Sequence, residues 1–410
     1  MKTKPLVIVS GALLLPLGIC LWLGWPVYQF FAFRGEVPML PWGYVTVPHE
    51  GPGTQIIDDD RYQVAATQSL ETLSRHRQTI QAPAISAAVA IDGKRVWAGS
   101  VGWADIGNKI AATPDTRFRI GSTSKPLTIT ALAKLVEKGA LDLDTTIDHY
   151  LTELSNPEWK SITPRHLASH MAGLVDYQNT AEWTGLYQVM ALQTHYDNVQ
   201  DSLTVFDGTP LTHPPGSHYE YTSYSTVLLS AVMQGAARTP YQQLIQKSVF
   251  DPLGMHQTSP DPGQHQPDMA QFYWREGTKA KIWRQVDLSH RMAGGGLVST
   301  PSDLVKLGSA WLDDDFITPD IRHVFWQPQR LNNGEVNPQN YALGWRMHTG
   351  DDYMVTNFNH GGVSRGAQCW LMVIPEYRMV VAVSINTTTE VFWDFGEVGV
   401  IIARQFAEPD

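Results

Sequence analysis

The spacing of hydrophobic residues changes several times along this chain, and each spacing predicts a different element. The sequence carries no charge from Pro5 to Phe33, and about 20 apolar residues suffice for a helix that spans a bilayer. From Val64 onward, in VAATQSLETLSRHRQTI, apolar residues recur with helical spacing. Two pairs of β-rich runs flank Asp92-Gly93 and Pro375-Glu376, which predicts two hairpins.

Strand-forming sequences lie near both ends of the folded part, with helical segments between them. The stretch TITALAKLVEKG predicts a helix with Gly139 as its C-cap, and EVFWDFGEVGVIIARQF predicts a final amphipathic helix. Because strands from both ends need partners, we expect one antiparallel sheet completed by the termini and flanked by helices. A mostly helical subdomain would be inserted within about 140–290, which makes the fold class α/β (α+β).

The N-terminal segment predicts an uncleaved signal anchor over residues 1–35. Lys2 and Lys4 favour the cytoplasmic side, and Trp22 and Trp25 suit the far interface. The alternative is a cleaved signal peptide. With an anchor, the protein would cross a bacterial inner membrane once and place its folded domain in the periplasm. Residues 36–63, rich in Pro and Gly, predict a linker, and the domain would cover 64–408.

Composition and charge exclude several classes of protein. The chain is 43% hydrophobic and 17% charged, as folded domains are, and its net charge of −10 without a Lys/Arg run argues against nucleic-acid binding. Cys20 and Cys369 are too few for a disulfide framework or a thiolate-rich metal site. His166 and His170 have metal-ligand spacing but lack the glutamate of a zinc-protease motif, so we expect no metal and no cofactor.

The stretch RIGSTSKPLT contains the only serine of the chain, Ser122, that has a lysine three positions later. That spacing puts Ser122 and Lys125 on one face of a helix, and free amides of a first turn suit a developing oxyanion. To act as a base, Lys125 needs a pKa far below about 10.4, which burial and neighbouring cations can provide. The alternative is a helix-capping serine beside a surface lysine.

Two further stretches carry side chains suited to acyl transfer. In PPGSHYEYTSYS, the hydroxyl of Tyr221 could share the proton transfer and that of Ser223 could hold the lysine; the alternative is an aromatic cluster beneath a turn. In NHGGVSRG, Gly361 and Gly362 after His360 let the backbone approach a substrate closely. The alternative is a Gly-rich strand entry with a surface histidine.

In this order, the three motifs resemble the signature of serine β-lactamases and penicillin-binding proteins. The chain resembles the class C β-lactamase and D-alanyl-D-alanine carboxypeptidase family, with its esterase members, and within it the branch of mitochondrial serine β-lactamase-like proteins. The resemblance covers about Val64 to Phe406 and includes LDLDTTIDHYL, ITPRHLASHMAGL, DPLGMHQT, AGGGLVSTPSDL and YALGW. It implies a β-lactamase/transpeptidase-like fold and a serine hydrolase that works through an acyl-enzyme.

The resemblance also implies a role for each motif residue. Ser122 would be the acylated nucleophile, Lys125 its general base and Tyr221 the proton relay. His360 would face the substrate carboxylate, and the backbone N–H groups of Ser122 and Val363 would form the oxyanion hole. The residues implied in substrate binding and the oxyanion hole are Ser223, His360, Gly361, Gly362 and Val363.

Two departures from the family pattern bear on the substrate. Ser223 stands where Asn is usual, and His360 stands where many relatives have Lys. Both favour a peptidase or esterase over an efficient β-lactamase, with a peptide, ester or amide as substrate; cell-wall peptides and β-lactams are included. The alternative is a catalytically weak scaffold, since some relatives assemble into filaments. The sequence predicts no oligomeric state.

Overall fold

The computed structural model describes residues 5–350 and 354–407. Its α-helices are α1 (Pro5–Ala32), α2 (Gln63–Thr79), α3 (Ser124–Glu137), α4 (Pro164–Ala168), α5 (Trp183–Ala191), α6 (Ser223–Ala237), α7 (Tyr241–Ile245), α8 (Met292–Gly295), α9 (Pro301–Ala310), α10 (Pro319–Trp326) and α11 (Phe392–Ala407). Its strands are β1 (Tyr44–Thr46), β2 (Gly53–Ile57), β3 (Ala84–Ile91), β4 (Lys94–Asp105), β5 (Ile110–Ala111), β6 (Phe118–Arg119), β7 (Ser259–Pro260), β8 (Tyr273–Glu276), β9 (Lys279–Ile282), β10 (Leu297–Ser299), β11 (Arg346–Gly350), β12 (Val355–Ser364), β13 (Ala367–Ile374) and β14 (Met379–Ile385).

Strands from the two ends of the chain pair directly in the main sheet, whose order is β11-β12-β13-β14-β3-β4-β2. The C-terminal strand β14 lies antiparallel to the N-terminal strand β3, with Val381 opposite Val89. Both strands are apolar along nearly their whole length because helices cover both faces of the sheet. The predicted antiparallel sheet completed by both chain ends is confirmed.

Both predicted hairpins are present. Asp92 and Gly93 join β3 to β4 with φ values of 50° and 78°, the left-handed conformations that a two-residue hairpin turn needs. A short 3₁₀ turn over Pro375–Tyr377 joins β13 to β14. These local turns fix the register of the central strands.

The predicted helices form on both sides of the sheet. Helices α2 and α11 contact each other on one face, where residues such as Phe395 and Phe406 are buried, and α9 packs on the other face. Helix α3 ends as expected, with Gly139 at φ 65° just beyond its C-terminus. The inserted region 140–290 holds α4 to α7, together with the short strands β7 to β9.

The stretch that the sequence predicts as a linker, 36–63, contains strands instead. Tyr44 in β1 pairs with Lys281 in β9, and Ile56 in β2 pairs with Ala98 in β4 at the edge of the main sheet. The β-branched residues in YVT and TQII favour strands, and each segment pairs with an exposed strand edge of the domain. The stability of this pairing outweighs the preference of the Pro/Gly-rich composition for a linker. This segment is therefore part of the folded domain.

The predicted signal anchor begins at residues 1–4, which lie outside the described residues. Helix α1 covers Pro5–Ala32, and no helix among the described residues is long and apolar enough to cross a membrane. The C-terminal end of α1 packs on the domain: Phe30 and Phe33 are buried, and the Phe33 ring centroid lies 4.7 Å from that of Trp283.

Candidate active site

Ser122 lies in a 3₁₀ turn over Gly121–Thr123, immediately before α3 and against strand β12. Two glycines allow this close approach. A Cβ on Gly121, whose φ is 51°, would lie 2.6 Å from the carbonyl oxygen of Val363, and one on Gly362 would lie 1.9 Å from that of Ile120. The glycines therefore bring Ser122 beside the end of β12.

Backbone direction at the end of β12 favours the predicted oxyanion pair. A two-residue turn joins β12 to β13, and Ser364 opposite Ala367 is the last pair before it. Hydrogen-bonded and non-hydrogen-bonded pairs alternate in antiparallel strands, so the next pair, Val363 opposite Gln368, is a non-hydrogen-bonded one. The N–H of Val363 therefore points away from β13. Strand β11 pairs with β12 only as far as Asn359, so the edge at Val363 is left facing the turn that holds Ser122.

Lys125 is buried, with 1% of its surface exposed, and its Nζ meets three oxygens. Nζ lies 3.1 Å from Ser122 Oγ, 2.9 Å from Ser223 Oγ and 2.9 Å from the carbonyl oxygen of Gly294. A carbonyl oxygen can only accept, so a neutral amine donates one proton to Gly294. When it donates the other to the hydroxyl of Ser223, its lone pair can accept the proton of Ser122.

The electrostatic environment favours this neutral form of Lys125. Burial, followed by the positive charges of Arg346 and Arg291, holds the pKa of Lys125 well below its usual value. No carboxylate forms a salt bridge with it among the described residues. The lysine can therefore take the proton of Ser122, which the sequence motif required but could not show.

Tyr221 lies beside both residues. The Nζ of Lys125 is 4.9 Å from its ring centroid, and the tyrosine forms a hydrogen bond with Ser122. Burial raises the pKa of Tyr221 to about 12 despite that hydrogen bond, so the phenol keeps its proton at neutral pH. Tyr221 can relay a proton as a neutral hydroxyl but is not a phenolate base.

His360 lies in β12 near Tyr221, with its side chain buried. Its ring is 1% exposed; Nε2 lies 2.9 Å from the hydroxyl of Tyr341 and Nδ1 lies 2.8 Å from the carbonyl oxygen of Gly361. Burial and the charges of Lys125 and Arg346 hold the pKa of His360 well below its usual value. The imidazole is neutral and buried, so it offers no cation to a substrate carboxylate.

The contacts of His360 also fix its tautomer. Gly361 offers only an acceptor, so Nδ1 carries the proton and Nε2 accepts from the hydroxyl of Tyr341. That hydroxyl lies 3.2 Å from Nε2 of His170, which donates to it, while Nδ1 of His170 faces the N–H of Thr222. His170, which the sequence offered as a metal candidate, is instead part of a neutral network beneath the site.

A cavity of about 560 Å³ opens beside Ser122 and Tyr221. Arg346 lines it and supplies the positive charge that the sequence assigned to His360. The aromatic side chains Trp370, Phe392 and Trp393 form another part of its wall. Sequence reasoning missed Arg346, although it directly follows the YALGW stretch.

Comparisons with known proteins identify the family of this chain. The beta-lactamase family model matches residues 70–397. The chain belongs to the beta-lactamase family. It is 28% identical over 404 residues to the human mitochondrial serine beta-lactamase-like protein LACTB, covering 76% of this chain and 72% of that protein. It is 27% identical over 311 residues to a D-aminopeptidase of Gluconobacter oxydans, covering 74% of this chain and 56% of that protein.

A solved structure shares the fold. The penicillin-binding protein of Bacillus halodurans superimposes with a TM-score of 0.66 at 21% identity, covering 82% of this chain and 99% of that one. Like these relatives in the beta-lactamase family, the chain is a serine hydrolase. The roles of individual residues within the site are predictions that the experiments below address.

Removing the charge of Arg346 should move the pH dependence of acylation in this beta-lactamase-family site. Because Arg346 lowers the pKa of Lys125, Arg346→Gln raises that pKa, and the acid limb should shift to higher pH. The measurement is the labelling rate with an uncharged fluorophosphonate between pH 5 and 10. Arg330→Gln, at an exposed position, is the control; equal acid limbs in both variants would contradict the electrostatic account.

A methyl group on Gly362 should separate the two backbones that form the site. Gly362→Ala places a Cβ 1.9 Å from a carbonyl oxygen, and a displacement of about 1 Å costs on the order of 100-fold in rate. Gly53→Ala in β2 is the control, because its nearest neighbour would be 3.7 Å away. Labelling rates and melting temperatures of both variants provide the test, and an unchanged rate in Gly362→Ala would refute the tight packing.

Proposed function

We propose that this protein hydrolyses a peptide, ester or amide through a covalent acyl-enzyme. Ser122 Oγ attacks the carbonyl carbon while its proton passes to Nζ of Lys125. The C–N or C–O bond then breaks, and the proton reaches the leaving group through Tyr221. Water attacks the ester on Ser122 and releases the acid, which restores the serine proton and the neutral lysine.

The observation that carries this proposal is the environment of Nζ of Lys125. Lys125 is 1% exposed, and its Nζ lies 3.1 Å from the hydroxyl of Ser122. Burial lowers its pKa, so the lysine has the properties that a general base needs. A helix-capping serine with a surface lysine would show none of these features.

Two features support a peptidase or esterase rather than an efficient β-lactamase. Ser223 has a short side chain that contacts Lys125, so it offers no carboxamide to the amide group of a β-lactam. His360 is neutral and buried, whereas Arg346 lines the cavity. The similarity to a D-aminopeptidase adds support for small amide or peptide substrates.

Three substrates separate the candidate activities: 4-nitrophenyl butyrate, D-alanine 4-nitroanilide and benzylpenicillin. We expect turnover of the ester or the anilide that disappears in Ser122→Ala, with penicillin hydrolysed at least about 100-fold more slowly in kcat/KM. Rapid penicillin hydrolysis with no ester or anilide turnover would overturn the substrate assignment. No acyl transfer from any of the three would favour the scaffold alternative.

The location of the domain is also a proposal. The uncharged sequence from Pro5 to Phe33, preceded by Lys2 and Lys4, supports an extracytoplasmic domain on a bacterial inner membrane. Fractionation of cells that express the full chain tests it. Recovery of the full-length protein in the membrane fraction after a salt wash is expected, and a salt-extractable full-length protein would refute the location.

A further inference from the structure

A second recess also includes Ser122 in its lining. A pocket of about 230 Å³ is lined by Ser122, Tyr221 and Ser223, and a neighbouring pocket of about 390 Å³ is lined by Phe30 and Arg34 at the end of α1. The residues that line both pockets, and so join them into one recess, are Asp176, Tyr177, Arg291, Val363 and Ser364.

This recess is rich in guanidinium groups. Arg34, Arg291 and Arg365 line it, and Asp176 is the one acidic residue among the described residues that line it. Arg34 is paired with Glu36, but neither Arg291 nor Arg365 forms an ion pair with a described residue. The recess therefore has two cations that lack a carboxylate partner within the described chain.

The two guanidinium groups are held in place by aromatic rings and a histidine rather than by anions. Arg291 lies with its guanidinium carbon 4.4 Å from the ring centroid of Tyr177 and donates to His290, while its buried Nη2 has no hydrogen-bond partner in the described part of the chain. Arg365 lies 5.7 Å from the ring centroid of Phe30. An unused donor and two partly desolvated cations favour an incoming anion.

Repulsion between the arginines also favours binding of an anion. Burial, followed by the charges of Arg291, Arg284 and Arg34, lowers the pKa of Arg365 to about 9. Arg284 also lacks an acidic partner in the described chain, since its guanidinium donates to the carbonyl oxygens of Met190 and Ala191. A bound anion would relieve this repulsion.

We propose that this recess binds a carboxylate carried by the acyl part of the substrate, with Arg365 and Arg291 as its ligands. The inference rests on the proposed function. Val363 and Ser364 line both the pocket that contains Ser122 and the pocket that contains Arg365, so an acyl chain on Ser122 that extends past them reaches Arg365. The acyl group must stay bound in the covalent intermediate while the leaving group departs, and a recess that begins at Ser122 suits the part that stays.

The inference predicts a preference between two esters that differ only in charge. The probes are the 4-nitrophenyl monoester of adipic acid and its uncharged methyl-capped counterpart. We expect the wild-type protein to favour the charged ester in kcat/KM, and Arg365→Gln to lower the charged-to-neutral ratio at least tenfold. Arg365→Lys should keep most of the ratio, and exposed Arg330→Gln should keep all of it. Arg34→Gln serves as an independent second variant with a smaller expected fall.

The outcomes separate this inference from the proposed function. Ser122-dependent hydrolysis with the same charge ratio in wild type, Arg365→Gln and Arg34→Gln would overturn the carboxylate subsite and leave the acyl-enzyme mechanism standing. A second pair of esters carries the charge on the leaving group, as an ester of 4-hydroxybenzoate. If Arg365→Gln lowered the charged-to-neutral ratio for that pair but not for the pair with a charged acyl group, the acyl-side assignment would be overturned. Hydrolysis of none of these esters, together with no turnover of D-alanine 4-nitroanilide, would overturn both proposals.

Discussion

Ser122→Ala should lose all covalent labelling, and its hydrolysis should fall by at least about 10⁴-fold, as happens when the nucleophile of a serine hydrolase is removed. The change deletes one oxygen that contacts Lys125 and Tyr221 and leaves the turn over Gly121–Thr123 intact. The fold should therefore persist, with a melting temperature within a few degrees of the wild-type value. Intact mass after fluorophosphonate treatment and turnover of 4-nitrophenyl butyrate measure both effects.

The matched control for this variant is two residues away. Ser124 is also buried at the start of α3, but its Oγ has no hydrogen-bond partner among the described residues. Ser124→Ala should retain both labelling and turnover. Full labelling of Ser122→Ala, or an equal loss in Ser124→Ala, would remove Ser122 from the nucleophile role.

Lys125→Met should slow acylation by about 10³-fold or more, in the range that a positioned general base contributes. The thioether chain fills the same volume but accepts no proton from Ser122. Stopped-flow labelling at pH 7 to 9 measures the loss, with Lys138→Met at the exposed end of α3 as the control. Equal acylation rates in both variants would show that Lys125 is not the base.

The same variant should change how stability depends on pH. The pKa of Lys125 is lowered in the folded state, so below the unfolded pKa of about 10.4 the unfolded chain binds a proton that the folded chain does not. Wild-type stability is therefore lost as the pH falls from about 10 toward the folded pKa of Lys125. Lys125→Met should lack this dependence, and melting temperatures of both proteins across pH 6 to 10 would show whether it does.

The sequence could predict the fold because its strongest signals are local. The Asp92-Gly93 turn and the apolar strands at both ends specify a sheet closed by the termini, and the structure shows this sheet. The pairing of 36–63 could not be predicted, because a short strand depends on an open edge that only the folded domain supplies. Composition was a misleading guide there.

The contact between Ser122 and Lys125 was predictable for the same local reason. Ser122 and Lys125 are three residues apart, so one turn brings them together, whereas Ser223 lies 98 residues beyond Lys125, and its spacing alone does not predict the contact. The burial of His360 depends on Tyr341 and His170, which no spacing connects to it. The sequence pattern likewise cannot predict that charges on separate elements, such as those of Arg291 and Arg365, line one recess.

The central claim is that acyl transfer proceeds through Ser122, and mass spectrometry tests it most directly. The full-length protein is treated with a fluorophosphonate, its intact mass is measured, and the labelled peptide is mapped, with Ser122→Ala alongside. Our account predicts one adduct, located on the peptide that contains Ser122 and missing from the variant. Turnover of substrate with an adduct on another residue, or with a Ser122 that never becomes labelled, would contradict it.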